Sequence, residues 1–180
     1  MGVLAQLTAL VVGLATPAGA LQETSGSSAL AAVASSCAGA TTAAGDTHSR
    51  LEAMYCGINV VRRSYGLGTV RGNGPLNRSS LWKADAVRRC GFSHTPCGMS
   101  FSVTFRRAGY FPARAIAENL AWEQGELGSP LHTLAMWLNS APHRANLLAR
   151  RWRDLGIAFE RGHLFGLDGV TLWVMQVGRH

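Results

Sequence analysis

Lysine is almost missing from this sequence: Lys83 is the only one, and the formal charge of +7 rests on arginine. Acids are scarce as well, with Asp and Glu together numbering 10 in 180 residues. The arginines fall in scattered pairs, Arg62-Arg63, Arg88-Arg89, Arg106-Arg107 and Arg150-Arg151, and no nucleic-acid-binding motif accompanies them. The pairs read as solvated helix faces, and no nucleic acid is expected as a partner. Neither C-x2-C nor C-x4-C spacing occurs, which argues against a zinc site built on cysteine. A G-x-S-x-G elbow is missing too. Ser93 adjoins His94, but neighbouring side chains in an extended loop point apart, so the pair is a poor nucleophile and base. Internal repeats are not evident, the apolar run at the start of the chain is too short and glycine-interrupted for a comfortable spanning helix, and no other candidate follows.

What is present suits one folded domain. The length and the 47% hydrophobic, 15% charged composition allow a single buried core and argue against disorder. Residues 1–20 contain no acid, carry an apolar stretch from Val3 to Leu14, and end in Pro17 and the small triplet Ala18-Gly19-Ala20. That is the apolar region and cleavage site of a signal peptide, although the usual basic start is missing. Residues 21–46 are rich in Ala, Ser, Gly and Thr and read as a flexible leader; the domain proper is expected over 47–180. Four cysteines, at 37, 56, 90 and 97, behind an export signal favour disulfides. Cys90 and Cys97 are close enough to staple one loop, which makes Cys37 to Cys56 and Cys90 to Cys97 the preferred pairing, with two others left open.

Apolar residues Leu51, Met54, Tyr55, Ile58 and Val61 recur at helical spacing behind a capping box of Ser49 and Glu52, predicting a helix to about Gly66. Asn77 is the expected N-cap of a second helix to about Arg89, with Leu76 and Leu81 as its hydrophobic staple. A short helix is expected over 100–108, and Ser129-Pro130 has the chemistry that opens another. Alternating or apolar runs at 155–164 and 170–177 flank Gly166-Leu167-Asp168-Gly169 and predict a β-hairpin. A further strand is expected through Ala115 to Trp122. This order of helices before a terminal hairpin indicates an α+β architecture.

Three segments carry the chemistry: Phe92-Ser93-His94-Thr95, Glu118-Asn119-Leu120-Ala121, and Trp137 through Leu147 with Ser140, His143, Arg144 and Asn146. By themselves they supply two imidazoles and one carboxylate on separate elements, an open-sided set that zinc accepts. In order and spacing they resemble the CAP superfamily, the cysteine-rich secretory, antigen 5 and pathogenesis-related 1 proteins with their SCP domain, and in particular its bacterial secreted branch. Its F-S-H-T loop, E-N-[IL]-A strand and W-x-x-S-x-x-H-R-x-N-[IL] helix cover residues 49–177 together with the closing hairpin. The resemblance implies an α-β-α sandwich with a small antiparallel sheet between helices, and His94, Glu118 and His143 around a cleft. Many eukaryotic members add a second glutamate where Asn139 or Ser140 stands here, so the set is incomplete.

No catalytic residue is assigned; a metal-dependent hydrolase, the alternative, would use a water activated at a zinc held by His94, Glu118 and His143, with Glu118 as ligand or base. The first expectation is non-enzymatic: a secreted monomer, in the medium or at the cell envelope, binding lipid, sterol or another envelope or host ligand, as the resemblance implies. Asn119 and Asn146 are expected to tether backbone, and Trp122, Trp137, Trp152 and Trp173 to fill the core. His48, His132, His163 and His180 have no motif context.

Overall fold

The computed structural model describes residues 17–180, and side chains from residue 25 onward. The apolar run of the expected signal peptide lies outside the described residues. Among the described residues, six α-helices and four strands follow in the order α1 (Pro17–Ser36), α2 (Thr47–Ser64), β1 (Arg71–Gly72), α3 (Gly74–Cys90), α4 (Val103–Arg107), β2 (Ala115–Gln124), α5 (Pro130–Asn139), α6 (Ala141–Leu148), β3 (Asp154–Leu164) and β4 (Leu167–Arg179).

The strands form one sheet in the order β1-β3-β4-β2. Its long strands are antiparallel, with Glu118 opposite Gln176 and Ile157 opposite Met175. Because side chains alternate across a strand, the sheet presents two apolar faces. Ala117, Ala121, Trp173, Met175 and Val177 join α1, α2 and α5 in the main core, which includes Met54, Ile58, Leu134 and Trp137. Leu120, Leu172 and Val174 face the other way and pack against Ala84 and Val87 of α3. The result is the expected α-β-α sandwich, with one correction: β1 pairs parallel to β3, Arg71 beside Asp154.

Several boundaries move for identifiable reasons. The segment read as a flexible leader is not one: α1 occupies most of it, and its small residues Ala29 and Val33 are fully buried. Small side chains let α1 approach α2 closely, where Gly57 leaves room for Val33 and Leu134. Asp46, not Ser49, caps α2 by accepting from the Ser49 amide at 2.9 Å. Asn73 caps α3 by accepting from the Leu76 amide, and Pro75 occupies the first turn. Asn77 is therefore inside the helix, where its Oδ1 accepts from the Tyr55 hydroxyl and the Ile157 amide. Leu76 is buried while Leu81 is exposed, so they make no staple. Ser129 does cap α5, accepting from the His132 amide. The hairpin turns at Phe165-Gly166, both with positive φ, as a two-residue turn requires, and Leu167-Asp168-Gly169 already belongs to β4.

Both disulfides follow the preferred pairing, Cys37 to Cys56 and Cys90 to Cys97. The first ties the end of α1 to α2. The second closes the loop that carries His94.

Candidate functional site

β2 is an edge strand, so residues from the two helical layers can meet beyond it. Glu118 projects from β2 toward α3 and is buried, with no exposed side-chain surface. Burying a carboxylate is costly unless it is paired and hydrogen-bonded, and here both oxygens are committed. Oε1 meets His94 Nδ1 at 2.8 Å and lies 3.5 Å from Lys83 Nζ. Oε2 accepts from Gln176 Nε2 at 2.8 Å, the residue directly opposite on β4.

Lys83, on the buried face of α3, has no exposed side-chain surface. Its Nζ also donates to the His94 carbonyl at 2.6 Å. It lies 5.6 Å from the centre of the Phe101 ring. One lysine thus supplies the counter-charge of Glu118 and holds the His94 loop by its backbone. The His94 imidazole, anchored through Nδ1, keeps half of its surface exposed.

His143 stands in the first turn of α6. Asn119, on the opposite face of β2 from Glu118, donates to the His143 carbonyl at 2.9 Å. Asn146 donates to the Glu118 carbonyl and to Asn119 Oδ1, covering part of the strand's open edge. The two asparagines are tethers, as their chemistry suggested. Burial, and then the neighbouring His94, push the His143 imidazole below the ordinary histidine range. Between that lowered value and the unfolded value of about 6.5, the unfolded chain binds a proton that the native chain does not. Stability therefore rises with pH through this window and falls on acidification. We expect His143→Gln to lose less stability than the parent between pH of about 7 and about 5, measured by urea denaturation; equal losses would contradict this.

The four tryptophans expected inside behave accordingly. Trp137, Trp152 and Trp173 are buried and donate to the carbonyls of Leu120, Asn146 and Gly128. Trp122 is partly buried against Phe165.

A zinc ion held by all three of His94, Glu118 and His143 would compete with the hydrogen bonds that Glu118 already makes. Of the roughly four lone-pair directions of a carboxylate, His94, Lys83 and Gln176 take three on Glu118. A second cation would sit beside Lys83. Among the described residues no group of three or more His, Cys, Asp or Glu is disposed to hold a metal ion. Lys83 and Gln176 are the site residues that motif reading missed.

A four-stranded sheet thus lies between helical layers, with the His94–Glu118 pair at its β2 edge. An outer surface protein from Borrelia burgdorferi has a similar fold, with a TM-score of 0.63 at 18% identity over 77% of this chain and 98% of that one. An extracellular SCP-domain protein from Bacillus anthracis gives 0.58 at 16% identity over 77% of this chain. A cysteine-rich secretory protein from Staphylococcus aureus gives 0.57 at 16% over 75%. The match spans only 45% and 40% of the Bacillus and Staphylococcus proteins. No match to a curated protein was found. The chain belongs to the cysteine-rich secretory protein family, CAP, whose model matches residues 57–176. Among the described residues no helix is long and apolar enough to cross a membrane.

Proposed function

We propose that this is a secreted binding domain that takes a lipid or cell-envelope ligand at the His94, Glu118 and His143 cleft without turning it over. The observation that carries this reading is the closed shell around Glu118. With both oxygens engaged and Lys83 beside it, the carboxylate is placed to fix His94 rather than to bind a metal or activate water. His94 and His143 are the polar groups left to meet a ligand. Export is supported by the two disulfides, which persist in oxidising compartments, and by similar folds in an extracellular and an outer surface protein. The hydrolase reading has less support, since the zinc it needs would compete with the contacts that hold Glu118.

The test uses the oxidised chain with fluorescent fatty acid and with purified cell-wall fragments as probes. Saturable binding to one of them should survive a chelator and weaken at least about tenfold, or 1.4 kcal/mol, in His94→Ala, His143→Ala. Binding to neither probe would overturn the reading. Ester hydrolysis that a chelator and the double variant both abolish would establish the hydrolase instead.

A further inference from the structure

Away from the cleft, a cavity of about 680 Å3 opens where β1 meets β3, lined by Gly68, Thr69, Arg71, Arg150, Arg153 and Asp154. Three of these six residues are arginines, and no aromatic or aliphatic side chain larger than that of threonine contributes. The strand pairing assembles them: Arg71 lies beside Asp154, and the Arg71 amide donates to the Arg153 carbonyl at 2.9 Å. Arg153 turns one nitrogen back to the Arg150 and Trp152 carbonyls, which fixes the loop that carries Arg150.

The charge here is not neutralised from within. Among the described residues none of the ion pairs involves Arg71, Arg150 or Arg153. The one acid in the wall, Asp154, accepts from the Tyr110 hydroxyl at 2.8 Å. Behind the wall lies a fourth guanidinium. Arg62 is 1% exposed, and its Nε donates to the Gly68 carbonyl while Nη1 donates to those of Leu147 and Ala149. It joins the two loops that flank the cavity, and its Nη2 is buried without a partner. Three guanidinium groups thus share the cavity with a single carboxylate, and a fourth is buried behind them. Self-repulsion of this kind is relieved by an anion.

We propose that this cavity binds a phosphate group carried on a sugar or polyol. Guanidinium forks match tetrahedral oxyanions through paired, charge-assisted hydrogen bonds. The volume falls in the range of small-molecule pockets, about 300–1,000 Å3, which leaves room for more than the anion. The polar walls suit a hydroxylated carrier and not an acyl chain. Its lining residues are separate from those of the cleft, so the assignment does not depend on the proposed function.

The experiment is calorimetry on the oxidised full chain with glucose 6-phosphate, glucose and inorganic phosphate, in low salt and with added sodium chloride. Glucose 6-phosphate should bind at one site, more tightly than inorganic phosphate, and weaken with salt, as exposed charge contacts do. Arg71 and Arg150 are exposed, so Arg71→Gln, Arg150→Gln should fold, a point checked by tryptophan fluorescence, and lose at least tenfold in affinity. The charge-matched variant Arg106→Gln, Arg107→Gln, altered on α4, should keep it. No saturable binding, equal losses in both variants, or glucose binding as well as its phosphate would overturn the proposal. Inorganic phosphate binding as tightly as the sugar phosphate would overturn the claim for a carrier.

Discussion

Replacing Lys83 with methionine is expected to destabilise the domain by about 3 kcal/mol. The variant keeps much of the stem but removes the cation 3.5 Å from a fully buried carboxylate and the donor to the His94 carbonyl. Breaking a buried ion pair from one side costs about 3–5 kcal/mol, because the remaining charge is left without compensation. His94 and Gln176 still bond to Glu118, which places the expectation at the lower end. The double variant Lys83→Met, Glu118→Leu removes both charges and should lose clearly less than the sum of the single changes, a coupling that a double-mutant cycle measures. Urea midpoints with unchanged slopes give the values. A single-variant loss below about 1 kcal/mol, or additive losses in the cycle, would show that Lys83 does not support Glu118.

The second large effect is expected at Gly156, where β3 passes beneath α3. A methyl group there would stand 2.3 Å from the backbone carbon of Leu76 and 2.4 Å from its oxygen. Backbone cannot rotate aside as a side chain can, so α3 must withdraw from the sheet. Overpacking a close-packed core costs typically 1–3 kcal/mol and sometimes more, and Gly156→Ala should reach about 3 kcal/mol. The same withdrawal would move Lys83 off Glu118, which joins this packing contact to the site. Gly68→Ala, with nothing within 4 Å of the added carbon, is the control and should change stability by less than about 0.5 kcal/mol. Equal effects at the two positions would contradict the close approach.

These two residues also mark where sequence reading stops. β2, the terminal hairpin, α5 with its Ser129 cap and the buried tryptophans were legible because periodicity and capping chemistry are local. α1 was not, because its interface is made of alanine and valine that work by closeness, and a run of Ala, Ser and Gly has the same composition as a linker. The caps of α2 and α3 lie three and four residues upstream of the expected ones, at Asp46 and Asn73. Both true caps precede residues that look unhelical in isolation, notably Gly74-Pro75. β1 is two residues long, and its parallel partner lies more than eighty positions away, beyond any local pattern.

The His94–Glu118 contact was legible only through motif resemblance, since the two residues share no local element and meet through the fold. Nothing in those motifs names Lys83 or Gln176. One trace was available: in a chain that otherwise uses arginine, a lone lysine at Lys83 shares a helix face with buried Ser79, Ala84 and Val87. A compact ammonium fits a closed site that a guanidinium fork would not. Gln176 left no such trace within the apolar alternation of β4.

The most direct measurement is calorimetric zinc titration of the oxidised chain beside its His94→Ala, His143→Ala variant. With Glu118 held by Lys83, His94 and Gln176, the two proteins should give the same result, with no saturable site that depends on the histidines. Stoichiometric binding in the parent that disappears in the variant would contradict the account, because it would make the two histidines a metal site.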